Sequence, residues 1–538
     1  MKTRTPSAFG LAICAGWLGV VASFSTNESV ILLEVPQRAP QHASRILHPA
    51  FTSLSVDPAF WMEFFGNSSH PNKLSFQLIK HIADRTGVSP WIRPGGVTQY
   101  SSLFDAKFGE PVREVSAAGG IYRTTYGVDY FKSFSNFAPS TKFTVTLNLG
   151  NDTLGIALDQ AKAAYRYLKA SQIWTFELGN EPGNYKATQR NLSTWGADAY
   201  VKQWQNWTDA IDAAVPLKQP RWWGGSDGTT DDPNTVAIQT DLITSRSFQY
   251  SSCRPASNAR AIVPNIMNHT NITSFVDILR SKIAAANSVG SDFVVGEFNS
   301  VSCSGKVNIT DTFGQALWVS LEHCNFILTL LELTSRLEAL DTSLYSASLN
   351  VSRVYLHQGA TLVFQSDNQE NIPGANGTPG FSSYNLWYPR DSELRGRARA
   401  NPSYVSQLML SEIVGKSRAS QIVHLSPPAN LSADQFAAYG IYEYKKLTKL
   451  ALINFSIFNK TNASGDAPGI RVYIGGSGSR ASRLKRMTAP GLDEKNTDLV
   501  TWAGQTYTNG SADGRLKLEP VINNTVWVRD SEAVLIDL

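Results

Sequence analysis

Charge is scarce in this 538-residue chain: only 17% of its residues are Asp, Glu, Lys or Arg, and they balance to a formal +4. No run of Lys or Arg gathers that small excess into a patch, so a nucleic-acid partner is not indicated. No Gly-rich phosphate loop follows the first strand-like segment, which argues against a doubly wound dinucleotide-binding sheet. Beyond the first residues, no segment is long and apolar enough to span a bilayer, so no membrane partner is expected. Internal repeats and long low-complexity stretches are also missing. The pattern calls for neither a metal nor a cofactor. Cysteine is scarce, with 4 in all. What remains is a chain too long for one ordinary core, most economically a large domain with a smaller one attached.

The amino terminus, Met1-Lys2-Thr3-Arg4, is positively charged ahead of an apolar run from Ala8 to Ala22, and Val21-Ala22-Ser23 offers small residues for cleavage. This is the pattern of a secretory signal over residues 1–23, which predicts an extracellular protein. Asn-x-Ser/Thr sequons recur from Asn67 through Asn206 and Asn350 to Asn509, a density that fits a secreted glycoprotein. Cys14 leaves with the signal. Cys253, Cys303 and Cys324 remain, an odd number in a protein whose export permits disulfides.

Short apolar strands alternate with helical patterns. They are read over Phe60–Phe65, Pro90–Gly96, Phe143–Leu149, Ile173–Asn180, Arg221–Gly225, Arg246–Tyr250, Phe293–Glu297 and Val354–Gly359. Between them, stretches such as Lys73–Arg85, Leu158–Ala170, Ala197–Ala214 and Thr273–Ala286 carry apolar residues at three- and four-residue spacing. Eight alternations predict an α/β fold, a (β/α)8 TIM barrel over residues 56–400. After about Ala400 the pattern changes to strands separated by turns, with Gly475-Gly476-Ser477-Gly478 the clearest turn cluster. Residues 401–538 are therefore expected to form an all-β sandwich. The segment 24–55 would contribute to it through the strand-like Ser29–Glu34.

Two of the barrel strands end in acids. Trp174-Thr-Phe-Glu-Leu-Gly-Asn180-Glu181-Pro182 reads as a buried strand followed by a turn, and Asp292-Phe-Val-Val-Gly-Glu297-Phe-Asn299 repeats the design. A lone Glu near a strand end is usually a solvated loop residue. In a barrel, however, acids on strands four and seven face each other across one open end. Two carboxyls so placed serve retaining glycoside hydrolysis, one as acid/base and one as nucleophile.

The chain resembles glycoside hydrolase family 79, the β-glucuronidases related to heparanase, and is most similar in character to secreted fungal members. The resemblance runs from about Ser53 to the carboxyl terminus. It rests on Phe64-Phe65-Gly66-Asn67, Trp91-Ile92-Arg93-Pro94-Gly95-Gly96-Val97-Thr98-Gln99, Phe176-Glu-Leu-Gly-Asn180-Glu181-Pro182, Gly296-Glu297-Phe-Asn299-Ser300 and Tyr355-Leu-His357-Gln358-Gly359. The resemblance implies Glu181 as acid/base and Glu297 as nucleophile. It further implies Asn180 on the sugar 2-hydroxyl, Tyr250 as donor to the nucleophile, and Glu63, ending strand one, as acceptor from sugar hydroxyls. The substrate it implies is a glycan carrying β-linked glucuronic acid, 4-O-methylated or not. Its carboxylate would meet the loop Ser300–Gly305, with Gly305 at its end, and either Tyr384 or Tyr388. Another retaining β-glycosidase, or an inactive secreted glycan-binding relative, is the alternative.

Residues 319–339, Leu-rich and containing Cys324, interrupt the family pattern between Trp318 and Leu340. Val319-Ser320 can be encoded by a 5′ splice signal and Leu333-Thr334 by a branch-site-like string, so the segment is expected to be a retained intron; the alternative is a genuine helical extension. Its removal would leave Cys253 and Cys303 as an even pair, on the loops after strands six and seven.

Overall fold

The computed structural model describes residues 30–117, 121–217, 222–225, 242–252, 255–317, 339–361, 380–428, 430–476 and 480–538. The expected signal, Cys253, Cys324 and all but the last residue of the 319–339 insertion lie outside the described residues.

Eight parallel strands form the larger domain: β1 (Thr52–Val56), β2 (Ile92–Pro94), β3 (Phe143–Leu147), β4 (Ile173–Leu178), β5 (Trp222–Gly224), β6 (Leu242–Ser251), β7 (Asp292–Ser302) and β8 (Arg353–Gln358). Each pairs with its successor and β8 pairs back onto β1, with Leu356 opposite Leu54, so the sheet closes in a ring. Helices α1 (Trp61–Phe65) and α2 (Lys73–Thr86) follow β1, α3 (Leu154–Tyr167) follows β3, and α4 (Ala197–Ala214) follows β4. Helices α5 (His269–Asp277) and α6 (Arg280–Ser288) lie between β6 and β7, α7 (Leu340–Ser348) precedes β8, and α8 (Tyr404–Val414) leads out of the domain. The result is a TIM-barrel-like domain. Helix α2 shows how the sequence sets such elements. The Asn72 side chain accepts from the Ser75 N–H at 3.2 Å to cap its start. Leu78, Ile79 and Ile82 turn inward, and Gly87, with φ 76°, ends it in the left-handed conformation.

The first strand differs from the sequence reading. Phe60–Phe65 is aromatic enough to look like a strand, yet Pro58 opens a helical turn there and Trp61–Phe65 is α-helix. The strand lies earlier, at Thr52–Val56, fully buried despite Thr52, Ser53 and Ser55. Ser55 is admitted because it bonds Arg93 and His357 inside the barrel, and Ser53 because it bonds the Ala50 carbonyl and the Trp91 N–H. The barrel therefore begins at Thr52, inside the segment 24–55 assigned to the β domain.

Five strands of the second domain, β9 (Ser420–Leu425), β10 (Phe436–Glu443), β11 (Lys446–Asn454), β13 (Arg483–Thr488) and β15 (Glu532–Asp537), belong to one large sheet. A smaller sheet contains β12 (Gly469–Gly475) and β14 (Thr525–Arg529), and the amino-terminal strand Ile31–Glu34 runs parallel to β12 at its edge. Leu33, Val472 and Val528 from the smaller sheet meet Leu450, Leu452 and Ile536 from the larger in one core.

The other face of the large sheet shares the barrel's core: Tyr439, Ile453 and Leu535 belong to the same cluster as Leu344 and Met409. A polar chain crosses this junction. Tyr439 Oη donates to Asp341 Oδ1 at 2.5 Å, Asp341 Oδ2 lies 2.6 Å from His269 Nδ1, and His269 Nε2 lies 2.8 Å from His424 Nε2. One proton occupies the contact between the imidazoles. Burial, and then the His269 charge, pushes His424 down to about 4. A histidine depressed in the folded state contributes stability that is present above its unfolded pKa and lost as pH falls through the folded one. His424→Gln should therefore remove a loss, on the order of 3 kcal/mol, that the wild type suffers between about pH 6.5 and 4. Urea unfolding at both pH values measures it, and equal losses in the two proteins would uncouple this contact from folding.

Candidate active site

The carboxyl ends of the strands meet around one buried arginine. Arg93, on β2, is fully buried. Its Nε donates to Glu177 Oε2 at 2.5 Å, its Nη1 to Glu297 Oε2 at 2.7 Å and Ser55 Oγ at 2.9 Å, and its Nη2 to Asn180 Oδ1 at 3.0 Å. One guanidinium thus binds residues from β1, β4 and β7 and the turn after β4. Charge-assisted bonds of this kind favour the ionised form of Glu297. Because a guanidinium only donates, the contact also fixes the Asn180 amide with its carbonyl inward, leaving Nδ2 to donate elsewhere.

The two sequence-predicted acids are held differently. Glu297 is buried on β7, with His357 Nδ1 of β8 at 3.8 Å from its second oxygen. Glu181 is half-buried and adopts φ 45°, ψ 59°, a left-handed conformation that costs energy for a residue with a Cβ. The Pro182–Asn184 turn sustains it: Asn184 N–H donates to the Glu181 carbonyl at 2.9 Å, and Trp195 Nε1 donates to that of Pro182 at 2.8 Å.

Strand β1 delivers a carboxyl other than the one expected. Glu63 sits on α1, where Arg390 binds it through Nε and, at 3.2 Å, through Nη2. The residue immediately after β1 is Asp57. It is buried, accepts from Thr98 Oγ1, and is pushed up to about 7, chiefly by burial and in part by the Glu297 charge. Gly96 explains the Gly-Gly of the second strand. A Cβ there would stand 2.8 Å from Asp57 Oδ2 and 3.1 Å from the His357 ring, while one on Gly95 would stand 2.6 Å from Arg93 Cζ. Glu114, in an excursion between β2 and β3, lies within electrostatic reach of Asp57 and is pushed up to about 8 by burial and that neighbour.

The loop after β7 forms the opposite wall. Cys303, Ser304 and Gly305 all have positive φ, at 58°, 70° and 84°. Such backbone persists only where its surroundings over-determine it. Here Ser383 N–H donates to the Ser304 carbonyl at 2.9 Å, Ser383 Oγ meets Thr310 Oγ1 at 2.5 Å, and Ser252 Oγ donates to the Cys303 carbonyl at 2.8 Å. Cys303 is also disulfide-bonded, to a partner outside the described residues. Gly305 packs on Tyr384, whose ring lies 6.3 Å from that of His357. Burial and the neighbouring Glu297 and Asp57 raise the Tyr384 phenol well above its ordinary range, keeping it a neutral donor. Tyr388 is elsewhere: stacked with Phe381, it lies under the Arg399 guanidinium at 4.9 Å. Tyr250 is buried on β6 opposite Val301, in a small cluster with Ala261 and Ile266.

Arg93→Met should strand two buried carboxylates, costing about 3–5 kcal/mol of stability, and move the acid limb of the pH–rate profile upward. Denaturation together with that profile tests it, and an unmoved limb would deny Arg93 its role on Glu297. Asp57 makes a second, opposite test. A raised carboxyl contributes stability that is full below its unfolded pKa and lost as pH rises through the folded one, here across about 4 to 7. Asp57→Asn should remove that loss and so gain on the wild type as pH rises to 8; a constant difference in melting temperature across the range would refute it.

Residues 438–535 match the glycosyl hydrolase family 79 C-terminal beta domain. The chain is 27% identical to a beta-glucuronidase of Aspergillus niger, over 96% of this chain and 93% of that one, and 24% identical to a beta-glucuronidase of Neurospora crassa, over 92% and 91%. Among solved structures, the 4-O-alpha-L-rhamnosyl-beta-D-glucuronidase of Fusarium oxysporum shares the fold with a TM-score of 0.74 at 21% identity, covering 94% of this chain and 100% of that one. A family 51 arabinofuranosidase from Xanthomonas axonopodis shares it at 0.59 and 12% identity, covering 95% and 100%. Taken together, the matches make this chain similar over nearly its whole length to fungal β-glucuronidases, with the family 79 C-terminal beta domain at residues 438–535.

Proposed function

We propose that this protein is an exported, retaining exo-β-glucuronidase acting on glycans that carry terminal β-linked glucuronic acid. The observation that carries the proposal is the Arg93 constellation. It ties Glu297 to Asn180 at the open end of the barrel, beside a donor-rich wall suited to a uronate. That the Aspergillus and Neurospora relatives are β-glucuronidases agrees with it.

In the first step Glu297, kept ionised by Arg93, attacks C1 while Glu181 gives its proton to the departing glycosidic oxygen. The product is a glycosyl ester on Glu297. Glu181, now ionised, takes a proton from water as that water attacks C1, and the ester carboxylate leaves. Asn180 Nδ2 donates to the sugar 2-hydroxyl, a contact that strengthens as positive charge grows on the ring. Asp57 accepts from another ring hydroxyl, the part the sequence reading gave to Glu63. The substrate carboxylate enters a pocket that already holds Glu181, Glu297 and Asp57, so it needs neutral donors. The Tyr384 hydroxyl and the backbone N–H groups of Ser304 and Gly305 fill that role. A Cys303–Cys253 bridge would tie their loop to the end of β6, which Ser251 and Ser252 already bring beside it.

Glu297→Gln should abolish turnover of p-nitrophenyl β-glucuronide. Glu181→Gln should regain part of its rate with azide, because an activated leaving group needs little protonation. Equal rescue of both would reverse or void the assignment, and α-glucuronic acid as the first product by NMR would exclude retention. Tyr384→Phe should reduce discrimination between glucuronide and glucoside by about 1.5–3 kcal/mol, read from kcat/KM on both. An equal fall on both substrates would remove Tyr384 from carboxylate recognition.

A further inference from the structure

The opposite, amino-terminal face of the barrel carries a second concavity, of about 660 Å³. It opens where β3, β7 and β8 begin. Arg45, Lys142, Arg353 and Arg418 line it, against one acid among the described residues, Asp292. Arg45 and Arg418 are exposed, and neither is in an ion pair among the described residues.

Arg353 forms the floor. It is almost fully buried, with its guanidinium 4.5 Å above the Trp91 ring. Neither Nε nor Nη2 has an acceptor in hydrogen-bonding geometry among the described residues, and the nearest carboxylate, Asp292, is half in solvent at 3.5 Å. Tyr355 Oη, which interacts with this guanidinium, is shared with Thr144 and Ser53 and belongs to the packed cluster beneath the concavity, not to its wall. His48 does not supply the missing acceptor. Its Nδ1 already accepts from the Ala50 N–H at 3.0 Å, and burial with the charges of Arg353 and Arg418 pushes it down to about 3. It is therefore neutral, and its remaining nitrogen is a donor. An arginine floor with unused N–H groups, under a rim of further cations and beside one half-exposed carboxylate, carries an excess of positive charge.

We propose that this basal concavity is a binding site for an oxyanion (carboxylate, sulfate or phosphate), held by the Arg353 guanidinium and by Arg45 and Arg418 at the rim. Planar guanidinium N–H groups suit two-oxygen contacts with such groups. The site lies at the far end of the barrel from Glu297 and stands whether or not the glycosidase reading is right.

The test is thermal unfolding and calorimetry of the full-length protein titrated with sodium sulfate, at ionic strength held constant with chloride. The wild type should show a saturable rise in melting temperature. In an Arg45→Ser/Arg418→Ser double variant binding should weaken by about tenfold or more, with kcat and KM on p-nitrophenyl β-glucuronide unchanged. Arg353→Gln, which removes a buried cation, should lose the sulfate response while staying at least as stable as the wild type in sulfate-free buffer. A response that persists undiminished in both variants, or a wild type that responds to chloride equally, would overturn the site. Oligogalacturonate, which is α-linked and so not a β-glucuronide, then identifies the source. Binding with the same arginine dependence means an anion carried on an acidic glycan. Binding of inorganic sulfate and phosphate alone means a free ion.

Discussion

A single buried cation organises the carboxyl-terminal end of this barrel. Burying a guanidinium beside two carboxylates is costly unless every charge is answered, and Arg93 meets the requirement by bonding Glu177, Glu297, Ser55 and Asn180 at once. The compensation binds both ways. Glu297 can stay ionised in a buried site because Arg93 is there, and Arg93 can be there because Gly95 leaves room for it. Glu177 belongs to the same balance: with Glu297 alone the ensemble would have no second anchor fixing the guanidinium plane, and the orientation of Asn180 would go with it.

Around that centre the other groups are sorted by charge. Asp57 and the partly buried Glu114 have no cation in an ion pair with them among the described residues and are pushed toward neutrality. Tyr384 remains a neutral phenol. One carboxylate is thus kept charged by its partner while its neighbours are discouraged from charging, the separation of protonation states that acid/base chemistry at a crowded site requires. Backbone strain marks the two walls: Glu181 on one side, and Cys303 and Ser304 on the other, adopt left-handed conformations held by turns, hydrogen bonds and a disulfide.

Much of this was legible in the chain. Apolar runs ending in Asn180-Glu181-Pro182 and in Glu297 are read as strand ends, and the structure has β4 ending just before the first acid and β7 carrying the second. Within the strand-like stretch Ser29–Glu34, Ile31–Glu34 pairs with β12. Two features were hidden for physical reasons. Strand β1 is Thr-Ser-Leu-Ser-Val: Ser55 faces Arg93 and His357, and Ser53 bonds the Ala50 carbonyl and the Trp91 N–H. Apolar patterning therefore points to the aromatic helix beyond it, and Glu63 lies on that helix instead of at a strand end, where Asp57 stands. Arg93 lies in the Trp91–Gln99 motif, but the sequence assigns it no role, because its carboxylate and amide partners are 84, 204 and 87 residues away and only closure of the barrel brings them together. The Gly95-Gly96 pair was the available clue, since adjacent glycines at a strand end signal close approach by something large.

In the proposed mechanism Glu297 is the group that bonds covalently to the sugar. Inactivation with a 2-deoxy-2-fluoro-β-glucuronyl fluoride, followed by proteolysis and tandem mass spectrometry, tests this most directly, because fluorine at C2 slows breakdown of the glycosyl ester more than leaving-group departure slows its formation. One fluoroglucuronyl adduct per chain is expected, on Glu297, with none formed in Glu297→Gln. An adduct on Glu177, Glu181 or Asp57, or steady turnover of the fluoride to α-glucuronic acid without any adduct, would contradict it.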